Sequence, residues 1–225
     1  MFLTKLILNV RSREFRRDFA DIHDLHRTVM SAYPNTDGDI PARQAHGVLW
    51  RLDPTHVGYT AYVQSHTGPN WTKLPAGYTT APAEVRPLQP VLDAVAPGCK
   101  LGFRLLANPT QDTRPIELKG KTRRVAHQKP EDQITWLIGK GNQHGFVIPT
   151  ARDGQPDLAP SPVPRMTGRK DGTTITVDAV RFDGHLVITD PTAFTHALIT
   201  GIGRAKAYGC GLLTLAPATR HLNGD

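Results

Sequence analysis

The chain has 225 residues, with 27 Lys plus Arg against 20 Asp plus Glu and a formal charge of +7. That length suits one large domain or two small ones with real cores, and the basic surplus favours an acidic partner, nucleic acid first among them. The 2 cysteines, Cys99 and Cys210, stand too far apart for a zinc knuckle or a disulfide framework, and no stretch approaches the roughly 18 apolar residues of a membrane span, so a soluble, cytoplasmic protein without a membrane partner is expected.

Phe2 to Val10 reads as a buried strand, too short in its apolar core for a secretory signal and followed by charge. Arg11, Arg13, Arg16 and Arg17 come next, diluted by Glu14 and Asp18. Ile22, Leu25, Val29 and Tyr33 then repeat at helical spacing, with Asp21 as N-cap and Pro34 as the stop. Val48–Leu52 and Gly58–Gln64 read as strands joined by a turn over Asp53 to Val57. From Pro69 to Pro97 the chain is proline-rich and reads as linker, with a short helix around Ala83–Val95.

Lys100–Ala107 is strand-like, Glu131–Lys140 is helical, and Phe146–Ile148 is a short strand. Thr173–Val180 and His185–Thr189 flank Asp183-Gly184, which reads as a hairpin turn. Asp190 and Pro191 open a helix to Ile199, and Leu212–Leu215 closes a sheet. The order strand, helix, strand, strand, weak helix is most of a ferredoxin-like βαββαβ unit, and the second half of the chain repeats the order. The expected class is therefore α+β, with two tandem ferredoxin-like domains. Their boundaries fall at 1–94 and 95–217, followed by a flexible tail at 218–225.

Chemistry concentrates in a few places. Residues 201 to 211 read Gly-Ile-Gly-Arg-Ala-Lys-Ala-Tyr-Gly-Cys-Gly. Gly201, Gly203, Gly209 and Gly211 let backbone N–H groups turn outward, and Arg204 and Lys206 add charge, so the loop suits a phosphate. Cys210, between glycines, reads as a small buried filler. On the N-terminal helix His23 and His26 are three apart and share a surface, with Arg27 one residue on. An imidazole with an ordinary pKa of about 6.5 can serve either end of RNA self-cleavage by a 2′-hydroxyl, and Arg27 could stabilise the extra negative charge on phosphorus. Structural or solvent-facing histidines are the alternative, since the chain has 10.

Basic residues gather at Arg114, Lys119, Lys121, Arg123, Arg124 and Lys129, and again at Arg165, Arg169 and Lys170 ahead of Asp171-Gly172. Such loops reach phosphates and groove edges; solvated surface charge is the other reading. Asp37-Gly-Asp39 reads as a turn and not a calcium loop. No His-Glu-x-x-His motif is present, so no metal or cofactor is expected. The Walker pattern is absent, and the dinucleotide fingerprint fails because Lys206 stands where its last glycine belongs. Aromatic residues make up only 7% of the chain, which argues against base stacking on an open sheet. Cationic loops gripping a folded, duplex-like RNA fit better.

Four segments together resemble the CasE family. They are Met-Phe-Leu-Thr-Lys-Leu-Ile-Leu-Asn at the start, Arg16-Arg17-Asp18 leading to Leu25-His26-Arg27-Thr28, Phe103 to Pro109, and Gly201 to Leu213. The resemblance runs from Met1 to about Pro217. It implies tandem ferredoxin-like domains and metal-independent cleavage of CRISPR precursor RNA at the base of the repeat hairpin. The expected ends are a 2′,3′-cyclic phosphate (or the 3′-phosphate from its hydrolysis) and a 5′-hydroxyl, and the expected product is guide RNA for the Cascade complex of antiviral defence. It implies the repeat hairpin and the other Cascade subunits as partners. His26 matches the family's catalytic histidine, Arg169 and Lys170 lie where members carry a hairpin-engaging basic loop, and the glycine loop matches a segment at the RNA-binding surface. Members have tyrosine three residues before the histidine, and here that place is His23. Two rival classes stay open: a subunit that binds the hairpin without cutting it, and a metal-dependent nuclease or small-molecule phosphate enzyme.

Overall fold

A computed structural model describes residues 1–37, 39–113 and 122–218. The expected cationic positions Arg114, Lys119 and Lys121, the centre of the Asp37–Asp39 turn and residues 219–225 of the expected tail lie outside the described residues.

Strand β1 (Phe2–Leu8) turns Thr4, Leu6 and Leu8 inward by simple alternation. Helix α1 (Arg13–Ala20) follows, capped by the Ser12 side chain, which accepts from the Phe15 N–H at 3.3 Å. Helix α2 (Ile22–Met30) buries Ile22, Leu25 and Val29. A single turn of helix α3 (Ala42–Ala45) precedes the hairpin of β2 (Leu49–Thr55) and β3 (Gly58–Ser65), and β4 (Glu84–Pro87) completes the sheet. The strand order is β2-β3-β1-β4, all antiparallel, as a ferredoxin-like unit requires. Its second helix is reduced to a 3₁₀ turn at Trp71–Lys73.

The second half begins with α4 (Gln89–Asp93), β5 (Lys100–Ala107), and the small pair β6 (Thr110–Thr113) and β7 (Arg123–Ala126). Helix α5 (Pro130–Gln143), β8 (Phe146–Val147), β9 (Leu158–Pro162), β10 (Met166–Lys170), β11 (Thr173–Val177), β12 (Val180–Ile188), α6 (Pro191–Thr200) and β13 (Leu213–Pro217) follow. The order β13-β5-β12-β8 repeats the first sheet's pattern, with β9 added along β12. The α+β class with two ferredoxin-like units therefore stands.

Each sheet packs its helices over its own core. Leu6, Phe15, Leu25, Trp50 and Val63 centre the first, and Leu105, Leu137, Phe146, Phe182 and Phe194 the second. The seam between them contains a buried polar network beside the apolar packing of Met166, Ile175 and Tyr208 on the first core. Arg51, only 3% exposed, grips Asp53 with two hydrogen bonds of 2.7 and 3.0 Å and donates to the carbonyls of Arg104 and Leu212, each at 3.2 Å. Gln64 Nε2 donates to Leu198 O at 2.8 Å, where α6 ends.

Three sequence expectations change. Asp183-Gly184 is no turn but the middle of β12, because Gly184 lies against the Asp157 carbonyl and Leu158 of β9, where a Cβ would collide. The hairpin instead joins β10 to β11 through Asp171-Gly172, both at positive φ (49° and 76°) as the mirror-image turn demands. The proline-rich stretch holds the edge strand β4, where Pro87 loses no interior ladder bond, and the helix shrinks to α4.

Candidate RNA-cleavage site

Helix α2 is fixed at both ends. The Asp21 side chain caps its start, accepting from the N–H groups of His23 (2.8 Å) and Asp24 (3.4 Å). Near its far end Thr28 Oγ1 donates to the fully buried Asp18 of α1 at 2.6 Å, and Tyr78 OH reaches the same carboxylate at 2.9 Å. Burial and Asp18 together push the Tyr78 phenol well above its ordinary pKa, so it remains a donor.

On this braced helix the rings of His23 and His26 lie 6.3 Å apart between centroids. Both face Tyr208, at 6.4 and 6.1 Å, from the 3₁₀ turn Lys206–Tyr208 inside the glycine loop. The Nδ1 atoms of both histidines are buried and have no hydrogen-bond partner among the described residues. Burial, then the neighbouring His23, Arg43 and Lys170, push His26 down to about 4, so its imidazole is neutral at pH 7. Burial and then Asp21 raise the Tyr208 phenol, which keeps its proton at the same pH.

The basic hairpin joins this group. Strand β10 packs on α2, and the Arg169 N–H donates to Asp21 Oδ2 at 3.1 Å. Arg169 and Lys170 are both exposed at the end of β10. Arg165, just before the strand, is tied to Asp178 at 2.6 Å. Arg27 points elsewhere: it is exposed, 3.5 Å from Asp24, and lines an open depression of about 420 Å³ with Arg17, Lys73 and Ser31.

The glycine loop divides into two kinds of residue. Arg204 is exposed, and the N–H groups of Gly203, Arg204 and Ala205 donate no hydrogen bond among the described residues. Lys206 turns back to cap α6, its Nζ donating to Thr200 O at 2.8 Å, and burial lowers its pKa. Gly201, Gly209 and Gly211 are buried, and all three sit at positive φ. A Cβ at 201 would meet Leu49 at 2.8 Å, and one at 209 would meet the Trp50 ring at 3.1 Å. Trp50 Nε1 donates to Ala207 O at 3.1 Å. These glycines thus let the loop dock on β2 of the first sheet, which is what carries Tyr208 to the histidines. Gly203 is half-buried near Trp136. Cys210 is buried, and burial lifts its thiol up to about 12, leaving no thiolate for chemistry.

The residues that sequence reasoning passed over are Tyr208, Arg43 and the second role of Asp21. Tyr208 sat inside a loop read for its glycines. Nothing local marks Arg43, which lies on α3 and donates to Val48 O at 3.1 Å. Among the described residues no group of three or more His, Cys, Asp or Glu is placed to hold a metal ion. No described helix is long and apolar enough to cross a membrane.

Two ferredoxin-like units with a pair of histidines, a tyrosine and a cationic hairpin at their junction define a class of α+β protein whose site suits a negatively charged ligand. The comparisons agree with that class. A family model described as CRISPR associated protein matches residues 1–217. The CRISPR-associated endoribonuclease Cse3 of Thermus thermophilus is 34% identical, over 96% of this chain and 100% of its own length. The CRISPR system Cascade subunit CasE of Escherichia coli K12 is 29% identical over 96% of this chain and 100% of its own. A solved structure of CRISPR endoribonuclease Cse3 bound to a 19-nucleotide RNA superposes with a TM-score of 0.80 at 33% identity, covering 96% of this chain and 100% of that one. This chain belongs to the CasE family of CRISPR-associated proteins.

Proposed function

We propose that this chain is a CRISPR endoribonuclease that binds the repeat hairpin and cleaves precursor CRISPR RNA at its base, serving as a subunit of Cascade. The observation that carries the reading is the neutral, half-buried His26 at the junction of α2, the basic hairpin and Tyr208. It occurs in a chain that matches, over 96% of its length, the whole of a relative named as an endoribonuclease.

In this reading the RNA stem lies on the exposed cations of β10 and of the residue before it, with Arg165, Arg169 and Lys170 contacting phosphates and Arg204 continuing the positive surface. The 2′-oxygen attacks the adjacent phosphorus and the 5′-oxygen leaves, so one proton must depart and another must arrive. His26, neutral at pH 7, takes the 2′-hydroxyl proton. Lys170 and Arg43, which already bear on His26, stabilise the extra negative charge on phosphorus. The Tyr208 hydroxyl, still protonated, is the available donor to the leaving oxygen. His23 occupies the neighbouring position, its ring centroid 6.3 Å from that of His26. The products are a 2′,3′-cyclic phosphate and a 5′-hydroxyl, and no step needs a metal ion. The N-terminal unit, 1–94, supplies the catalytic helix, and 95–217 supplies hairpin and loop; the protein works in the cytoplasm.

Incubating the wild type and His26→Ala with a repeat-hairpin RNA in EDTA tests this. The wild type is expected to cut and leave cyclic-phosphate ends, while His26→Ala binds within a few-fold but does not cut. Cleavage only with added magnesium, or undiminished cutting by His26→Ala, refutes the mechanism. Binding without any cutting by the wild type would favour the non-catalytic hairpin-binding reading.

A further inference from the structure

We propose that Asp21 is a positioning residue for this cleavage: its second carboxylate oxygen clamps the basic hairpin to the catalytic helix and fixes the hairpin's register against His26. The inference rests on the endoribonuclease reading above and adds to it how the two halves of the site are held together.

The two oxygens of Asp21 do different jobs. Oδ1 caps α2 through the N–H groups of His23 and Asp24, at 2.8 and 3.4 Å. Oδ2 accepts the backbone N–H of Arg169 at 3.1 Å, from an element 148 residues away in sequence. A helix cap needs only one oxygen, and serine caps about as well as aspartate. The second oxygen is therefore free to anchor the hairpin, through a hydrogen bond strengthened by the carboxylate charge.

The facing surface is shaped to match. Gly168 is buried directly over the cap, and a Cβ there would press into Asp21 Oδ1 and come within 3.0 Å of the His23 N–H. No other residue type allows β10 to lie this close to the start of α2. Arg169 and Lys170 immediately follow, so the clamp sits beside the cations that meet the RNA. Lys170 is near enough to bear on the His26 imidazole. Releasing the Arg169 amide leaves both cations on the hairpin, still able to hold a stem, but lets that stem shift relative to the imidazole. Misplacement of about 1 Å can lower a rate a hundredfold.

The test pairs two substitutions that reach the clamp from opposite sides. Asp21→Ser keeps a capping oxygen and removes the hairpin acceptor. Gly168→Ala keeps the carboxylate and forces β10 away. For each, thermal melting, affinity for the repeat-hairpin RNA, single-turnover cleavage at saturating RNA and hydrogen exchange at the Arg169 amide are measured. The expected result is a melt lowered by only a few degrees, affinity within a few-fold, lost protection of the Arg169 amide, and a saturating rate lowered about tenfold or more, within the hundredfold that misplacement of about 1 Å can cost. A merely structural role would lower the melt and the affinity together and leave the saturating rate alone. Wild-type cleavage by Asp21→Ser at saturation overturns the proposal. If that variant melts early, a normal rate in Gly168→Ala overturns it instead. A wild type that never cuts RNA would sink the functional reading, and the Arg169 exchange measurement would still decide the clamp.

Discussion

Lowering the pH of the cleavage assay separates the buried imidazole from an ordinary one. His26 is pushed down to about 4 by burial first, and then by His23, Arg43 and Lys170, all of which disfavour a second positive charge. At pH 5.5 a base with that pKa is about 97% neutral, whereas a histidine at about 6.5 is only about 9% neutral. The value of kcat/KM reports the free enzyme, so it should stay level from pH 8 to about 5.5 and fall to half only near pH 4. The gap from an unperturbed histidine is about tenfold at pH 5.5. Bound RNA brings phosphate charge to the imidazole and favours its protonated form, so the acid limb of kcat should lie above that of kcat/KM. Stability follows the same shift: the folded pKa is lower, so between pH 6.5 and 4 the unfolded chain binds more protons. The contribution is complete above about pH 6.5 and is lost as the pH falls toward 4, by at most about 3 kcal/mol. An acid limb of kcat/KM centred at 6.5 would refute the argument from burial, and a rate that climbs as the pH falls would mean that His26 acts in its protonated form.

Two further outcomes follow from the seam and the hairpin. Arg51→Ala removes both bonds to Asp53 and both bonds to the carbonyls of Arg104 and Leu212. It strands a buried carboxylate and should cost about 3–5 kcal/mol in urea unfolding; a loss under about 1 kcal/mol would mean that Arg104, 3.5 Å from Asp53, takes over its charge. Replacing Arg169 and Lys170 together by alanine should weaken hairpin binding and flatten its salt dependence, measured by titration at several ionic strengths. The slope should fall by about 0.7–0.9 for every RNA phosphate that the two side chains neutralise in the wild type. An unchanged slope would show that those cations face only solvent.

The elements legible in the sequence were those whose signals are local. Asp21 and Asp190 cap α2 and α6 as their positions foretold, each accepting from two backbone N–H groups. Helix α1 escaped because it buries only Phe15 and Asp18, too few apolar positions to show a period. The chain carries Asp-Gly at both 171 and 183, and local turn chemistry cannot rank them. What decides is β9, which lies along β12 and requires the glycine at 184 for backbone contact. The site shows the same division. The spacing of His23 and His26 was readable on one helix, but their approach to Tyr208 depends on how two sheets dock, and no pattern within either records it.

The glycine loop illustrates why that docking matters. Its composition suggests an anion cradle, and the N–H groups of Gly203, Arg204 and Ala205 have no acceptor among the described residues, yet Gly201 and Gly209 lie against Leu49 and Trp50 of the first sheet. The same positive φ angles that suit phosphate binding also allow backbone to approach side chains at van der Waals distance. Trp50, 1% exposed, then ties the loop down through Ala207, next to Tyr208. The candidate site is therefore composite, with the imidazoles on one unit and the phenol and the cationic hairpin on the other. The two connections differ in kind: the seam holds Tyr208 through bonds from Arg51, Gln64 and Trp50, whereas the hairpin rests on the first core through Met166 and Ile175 and is hydrogen-bonded to the start of α2 through the carboxylate of Asp21. A substitution in the seam should lower stability and cleavage together, because it moves a core. One at the hairpin should lower RNA binding or cleavage with little loss of stability, because it moves only what the core presents to RNA.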